Sequence, residues 1–581
     1  MKLRTMLLGA AFAALASSAS AQDQGAAERV TATVKTLASD AFEGRAPGTA
    51  GETKTIEYLV QRFKDLGLEP AGPNGQWVQP VPLLHTRLGA ATRMAFQGPK
   101  GAMPVVAGQD LYVSTIRPED SARIDAPVVF VGYGVNAPER GWDDFKKTDV
   151  RGKVVVFLVN DPDFYAKPGE PAAGKFGDRT MTYYGRWTYK FEEAARQGAV
   201  GALIVHDTAG AGYGWNVVVS PGGENYDIVR KPAEVTSVRL QGWLAEAAAK
   251  RLFASAALDL DALKAAARSP GFKPVELKGV RFQADVPVTH EVVTSHNVLA
   301  RIPGTSRADE VVMFGAHWDA YGKGKPDAQG RVYRAGANDD ALGIAGMLEI
   351  ARGMKAKPAP ARSVVFAAWT AEERGLLGSE FYAANPVYPM AKTVANLTLD
   401  ILQTAGFAND VVLVGKGQNT LEDDMARVAA TQGRRVTVEG LPERGLFYRA
   451  DHFSFAKRGV PVLLIMGIAG ASDLKQGGVA AGQAWIDAYT GSCYHQACDA
   501  WSPDWNLDGA LQDIALVGTI GGELAGSGTW PSWKAGSEFR KLRPLPGRLA
   551  GRIKVGDSSS PAAPGNASTE TLRKWRITPW A

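Results

Sequence analysis

Cysteine is nearly missing from this chain: two residues, Cys493 and Cys498, in 581. The motif Cys493-x-His495-x-x-Cys498 has no fourth thiolate or partner histidine nearby, which argues against a soft structural zinc site. A disulfide bracing this loop, or two free thiols, are the alternatives. Long apolar runs are missing too. The stretch from Met6 to Leu15 is about ten residues, short of the roughly 20 needed to span a bilayer, and no other segment approaches that length. Net charge is missing from the body of the chain. The whole carries +5, but from Glu538 onward nine basic residues face three acidic ones, an excess of six. Without that tail the protein is about neutral, which excludes a nucleic-acid partner for the folded part. HEXXH is absent, excluding the helix-borne single-zinc proteases, and so is the GxSxG elbow. There are no internal repeats. With 45% hydrophobic and 22% charged residues, a disordered, collagenous or coiled-coil chain is excluded.

What is present begins with an address. Lys2 and Arg4 precede the apolar run, and Ala19-Ser20-Ala21 offers small residues at a cleavage site. Residues 1–21 read as a secretory signal, so the mature chain is expected to start at Gln22 and to be periplasmic or secreted, with no membrane span. Residues 22–114 read as the N-terminal part of a larger domain, opening with two helices around the loop Ser39–Gly48. Residues 115–285 hold short β-rich runs (APVVFVGYGV, GKVVVFLV, AVGALIVHD) between Gly, Pro and Asp, with one helical stretch, KFEEAARQG. They read as a small separate β-rich domain inserted into the larger one. From 286 to 535 the apolar strands VVMFGAH, SVVFAAWT, TVANLTLDI, DVVLVG and PVLLIMG alternate with helices such as ALGIAGMLEIARGM. That predicts an α/β domain with a mostly parallel central sheet and helices on both faces. Residues 536–581 form a basic Pro/Gly/Ser-rich tail.

In such a sheet the ligand crevice lies beyond the carboxyl ends of the strands. His317 and Asp319 end VVMFGAHWD, Asp339 lies in GANDD before a helix, Glu372 and Glu373 end SVVFAAWTAEE, Asp400 ends TVANLTLD, and His495 follows in CYHQACD. Two imidazoles and several carboxylates form a nitrogen and oxygen donor set suited to zinc, cobalt or manganese. Carboxylates this dense repel one another without cations. Two metals about 3.5–4 Å apart would neutralise them and activate a shared water. The adjacent pair Glu372-Glu373 can divide the work, one binding metal and one acting as base.

His317-x-Asp319, Gly336-Ala-Asn-Asp339-Asp340, Ala371-Glu372-Glu373-x-Gly375-x-x-Gly378-Ser379, Leu399-Asp400 and Tyr494-His495 resemble, in order and spacing, the bacterial co-catalytic zinc aminopeptidases. That family also contains glutamate carboxypeptidase-like enzymes. The stretch LASDAFEGRAPGTAGE is similar to theirs, and the β-rich insert resembles their protease-associated domain. The resemblance implies two zinc ions per chain, with Asp339 bridging, His317 and Asp400 completing one site, and Glu373 and His495 the other. It implies Glu372 as general base, Asp319 as acceptor of the second ring N–H of His317, and Tyr494 as a donor to the tetrahedral intermediate. Asp451 and His452 match a segment near the substrate, although Ala450 stands where Ser is usual, and ILQTAG after Asp400 also departs from the family pattern. His85, His206, His290 and His296 fall outside these motifs and read as surface or packing residues. The implied activity is a peptide-cleaving exopeptidase, an aminopeptidase first, with a glutamate carboxypeptidase-like dipeptidase as the alternative. A receptor-like protein that has lost catalysis is disfavoured, because every ligand position is filled.

Overall fold

The computed structural model describes residues 25–230 and 237–543. The expected signal segment 1–21, and the basic tail from residue 544 onward, lie outside the described residues. Two helical stretches open the chain, residues 25–37 and Ala50–Asp65, separated by the turn-rich segment that the sequence marks. Among the described residues no helix is long and apolar enough to cross a membrane.

The central sheet places Val462–Ile465, Thr393–Leu399, Arg307–His317 and Arg362–Trp369 side by side in parallel. The carboxyl-terminal part of Val275–Ile302 then adds antiparallel to Arg362–Trp369. The α/β reading with a mostly parallel core therefore holds. Alternation along each strand, with its period of two, decides the layers. Val312, Phe314, Ala316, Val364, Phe366 and Ala368 pack under the helices Leu342–Lys355 and Asp508–Gly526. Val311, Met313, Val365, Ala367 and Trp369 enter the opposite core with Tyr382 and Phe455, from the helices Leu377–Ala384 and His452–Ala456.

One strand departs from expectation. Asp410–Leu413, the DVVLVG run, pairs only with Arg435–Val438 in a separate two-stranded ribbon. It is apolar because Val411 and Leu413 feed one core while Val412 and Val414 feed the other. Burial on both faces imitates a central strand without requiring a place in its ladder.

The second unit is richer in helix than the sequence implies. Ser121–Phe130, Val154–Leu158, Gly201–Val205 and Leu240–Leu244 form a parallel sheet of their own, accompanied by the helices Trp187–Arg196 and Glu246–Ser255. It also begins earlier, since Arg93–Gly98, Gly101–Pro104 and Leu111–Ser114 pair into this sheet. Its other boundary falls inside a strand. Val275–Ile302 runs for 28 residues, pairing first with Ser121–Phe130 and then with Val78–Leu88 and Arg362–Trp369. With no Gly or Asn pair to turn it near 285, a single β-branched run serves both sheets.

The helix Asp508–Gly526 approaches the sheet so closely that a Cβ on Gly521 would lie 2.1 Å from Cζ of Phe314. Gly521→Ala gains up to about 1 kcal/mol of helix propensity but overpacks a closed core at about 1–3 kcal/mol. A net loss of stability is expected in urea unfolding. A gain would contradict this packing.

Candidate metal centre

The strand ends meet at one edge: His317 pairs with Trp369, and Leu399 with Ile465. Polar residues just past these ends converge there because every strand points the same way. Three anchors, none assigned a role by the sequence reading, fix the connecting loops. Buried Arg45 donates to the carbonyls of Trp318, Leu37, Ala335 and Gly336 at 2.6–2.9 Å, tying the first helical segment to the strand end and the Asp339 loop. Asp499 accepts the backbone N–H groups of Asn338 and Asp339 at 2.9 and 3.1 Å and the Tyr489 hydroxyl at 3.0 Å. Asp340 accepts from His317 N at 3.1 Å, Gly343 N at 3.0 Å and Ile401 N at 3.4 Å, joining three segments through one carboxylate.

Within this frame Asp339 turns its two oxygens to two different rings. Oδ1 lies 3.0 Å from His317 Nε2, and Oδ2 lies 3.4 Å from His495 Nε2. His495 Nε2 is also 3.0 Å from Glu373 Oε2. Two donor groups result, His317 with Asp339 and Asp400, and Asp339 with Glu373 and His495; in each, the ligand atoms lie within 4.8 Å of one another. Asp400 Oδ1 is buried with no hydrogen-bond partner. Sealed carboxylates and neutral-capable imidazoles at this spacing fit two divalent cations that share Asp339.

The electrostatics agree. Burial opposes charging of His317 and His495, yet Glu372, Asp319 and Asp339 hold His317 well above its ordinary range, and Glu373 and Asp339 lift His495 to about 9. Burial, reinforced by neighbouring carboxylates, pushes Asp400 and Glu372 well above the carboxylate range. The crowded carboxylates thus disfavour one another's charge.

The structure redistributes the supporting roles. His317 Nδ1 lies 3.1 Å from the Asp319 carbonyl oxygen but 3.6 Å from its carboxylate. The carboxylate instead accepts the N–H of Glu372 at 3.0 Å, so Asp319 orients the strand end that carries the proposed base. The Tyr494 hydroxyl accepts from Arg449 Nη2 at 3.0 Å, and its ring centroid is 3.7 Å from that of His495. Cys493 and Cys498 form a disulfide that brackets both residues and a left-handed His495, at φ +63°.

Asp451 and His452 are buried beside the site, and the charge of Asp451 acts on Glu372 and Asp400. They are 1% and 0% exposed and neither lines the cavity. The helix His452–Ala456 is driven into the core by Phe453 and Phe455, and its first residues follow. His452 meets Phe447 edge-on at 5.1 Å, and burial lowers its pKa to about 3.

The cavity over the donor groups, about 270 Å³, is walled by both units: Tyr112, Arg186 and Tyr213 from the second unit face Asp339, Glu372, Glu373, Asp400 and His495. No sequence signal singled out Arg186, Arg374 or Arg449 on its wall.

Residues 297–518 match the model of Peptidase family M28. The chain is similar to leupeptin-inactivating enzyme 1 of Streptomyces exfoliatus, 30% identical over 218 residues, covering 36% of this chain and 44% of that protein. It is also similar to an aminopeptidase of Pseudomonas aeruginosa, 30% identical over 224 residues, covering 37% and 38%. The match thus spans less than half the length of these curated relatives. A solved aminopeptidase from Aneurinibacillus sp. strain AM-1 aligns over 89% of this chain and 96% of its own, at 18% identity and a TM-score of 0.49.

A cation that binds only the folded chain stabilises it by about 4 kcal/mol at roughly a thousand times its dissociation constant. Exhaustive chelation is therefore expected to lower Tm, and zinc to restore it. A Tm indifferent to both would contradict the reading of these donor groups.

Proposed function

We propose that this protein is an exported two-zinc exopeptidase that removes N-terminal residues from short peptides. The observation that carries the reading is the single carboxylate Asp339, shared by two donor groups that line one cavity. Two zinc ions held by His317, Asp339 and Asp400 and by Asp339, Glu373 and His495 would supply Lewis acidity and lower the pKa of water. Glu372, whose carboxylate burial pushes well above the ordinary range, would take the proton of the attacking water and return it to the leaving nitrogen. Because the Tyr494 hydroxyl accepts from Arg449, its own proton remains free to donate to the developing oxyanion. The wall contributed by the second unit excludes folded chains and favours short peptides. The N-terminal signal supports a periplasmic or secreted site of action.

One observation favours the dipeptidase reading as well. Arg186 is 6% exposed, and its Nε is buried without an acceptor among the described residues. It lines the cavity with Arg449, whose charge, after burial, helps lower the Arg186 pKa to about 10. Two cations at the wall suit a free carboxylate at the end of a short substrate.

A zinc-replete assay of a free-amine aminoacyl anilide against an N-blocked dipeptide separates the readings. Cleavage of the first supports the aminopeptidase and cleavage of the second the carboxypeptidase-like dipeptidase. Cleavage of neither would leave the receptor-like alternative. Glu372→Gln removes the base and keeps every donor, so kcat is expected to fall by about 10² to 10⁴ with zinc content unchanged. Loss of zinc in this variant would show that Glu372 is a ligand.

A further inference from the structure

Arg374 directly follows Glu373 in the turn Glu372–Arg374 and is 8% exposed. Its guanidinium lies over two tyrosine rings, 4.7 Å from the centre of Tyr321 and 5.3 Å from that of Tyr226. Such stacks hold the plane of the group by its faces. They take none of the N–H bonds, which point outward along the edges. Nε and Nη1 are sealed from solvent without an acceptor, and no described carboxylate oxygen lies within 4.0 Å.

The nearby carboxylates are engaged elsewhere. Glu373 Oε2 faces His495 Nε2 at 3.0 Å, and Glu224 Oε1 takes both Nε and Nη2 of Arg87 at 2.9 and 2.6 Å. A second cation increases the imbalance. Arg334 stacks on the same Tyr321 ring at 5.0 Å, spends its Nη groups on the carbonyls of Ser220 and Tyr321, and also leaves Nε unpartnered. Two guanidinium groups thus share one tyrosine ring, each with buried N–H groups that lack an acceptor, an arrangement that costs free energy until one arrives.

Arg374 lines the same cavity as Glu372, Glu373 and Asp400, so a molecule bound over the donor groups can bring an anion to it. It is a different station from the Arg186 and Arg449 pair, because Arg449 bonds to Tyr494 and Arg374 stacks on Tyr321, and each of these rings touches His495 on its own account, at 3.7 and 4.7 Å. Resting on the exopeptidase reading, we propose that Arg374 is a specificity residue that binds the side-chain carboxylate of an aspartate or glutamate in the substrate through Nη2, the one nitrogen of its guanidinium that is not sealed. Lysine, a point charge without the planar fork, can replace it only in part.

The test has two arms on zinc-loaded, full-length protein. In the first, calorimetry compares glutamate with glutamine. The wild type is expected to bind glutamate at least about 10-fold more tightly, Arg374→Met to bind both about equally, and Arg374→Lys to fall between, since a charge-assisted pair is roughly twice as strong as a neutral one. In the second, KM is compared for Glu-Ala against Gln-Ala and for Ala-Glu against Ala-Gln. At least one pair should favour its acidic member about 10-fold in KM, and Arg374→Met should erase that preference while zinc per chain stays at the wild-type level. Equal binding of glutamate and glutamine by the wild type, or a preference that survives in Arg374→Met, would overturn the proposal. The wild-type comparison and Arg374→Lys still decide if Arg374→Met does not fold. Failure to hydrolyse any peptide would overturn the exopeptidase reading instead, and the calorimetry would still judge Arg374.

Discussion

A carboxylate that faces two imidazoles, one with each oxygen, is the constraint around which this molecule is arranged. Asp339 reaches His317 at 3.0 Å and His495 at 3.4 Å. It can do so only if a strand end, a loop before a helix and a disulfide-bracketed turn from much later in the chain are brought within a few ångströms. Asp499 and Arg45 hold the loop from two sides through backbone groups, and Asp340 fastens it to His317. These are rigid supports of the kind that a metal site needs to keep its donors aligned. They also concentrate negative charge where water is scarce, a cost that divalent cations would offset.

The second unit completes the wall of the cavity over this centre. A strand of 28 residues, Val275–Ile302, belongs to both sheets, so the wall carrying Tyr112, Arg186 and Tyr213 is coupled to the catalytic sheet by continuous backbone pairing. The cavity is lined by Arg186, Arg374 and Arg449 and by aromatic rings as well as by the donor carboxylates.

How much of this was legible in the sequence depended on how local the cause was. Apolar strands that stop at a polar residue put His317, Glu372, Glu373 and Asp400 at one edge before any coordinates were considered, because parallel strands share a direction. The ordered motifs supplied the division of donors between two groups, and the same division emerges in the geometry. Where the cause was not local, the reading missed. Asp410–Leu413 looks like a sheet strand because two cores bury it from opposite sides. Arg45, Asp499 and Arg374 acquire meaning only from groups far away in the chain, and no periodicity reports that an arginine will be buried without a partner.

The central claim is that one carboxylate serves two cations, and zinc content of Asp339→Ala at equilibrium, beside that of His317→Ala, tests it most directly. If Asp339 bridges, its removal should deplete both sites together, leaving well under one zinc per chain, whereas His317→Ala should keep about one, because Glu373 and His495 are intact. Asp339→Ala retaining as much zinc as His317→Ala would contradict the account.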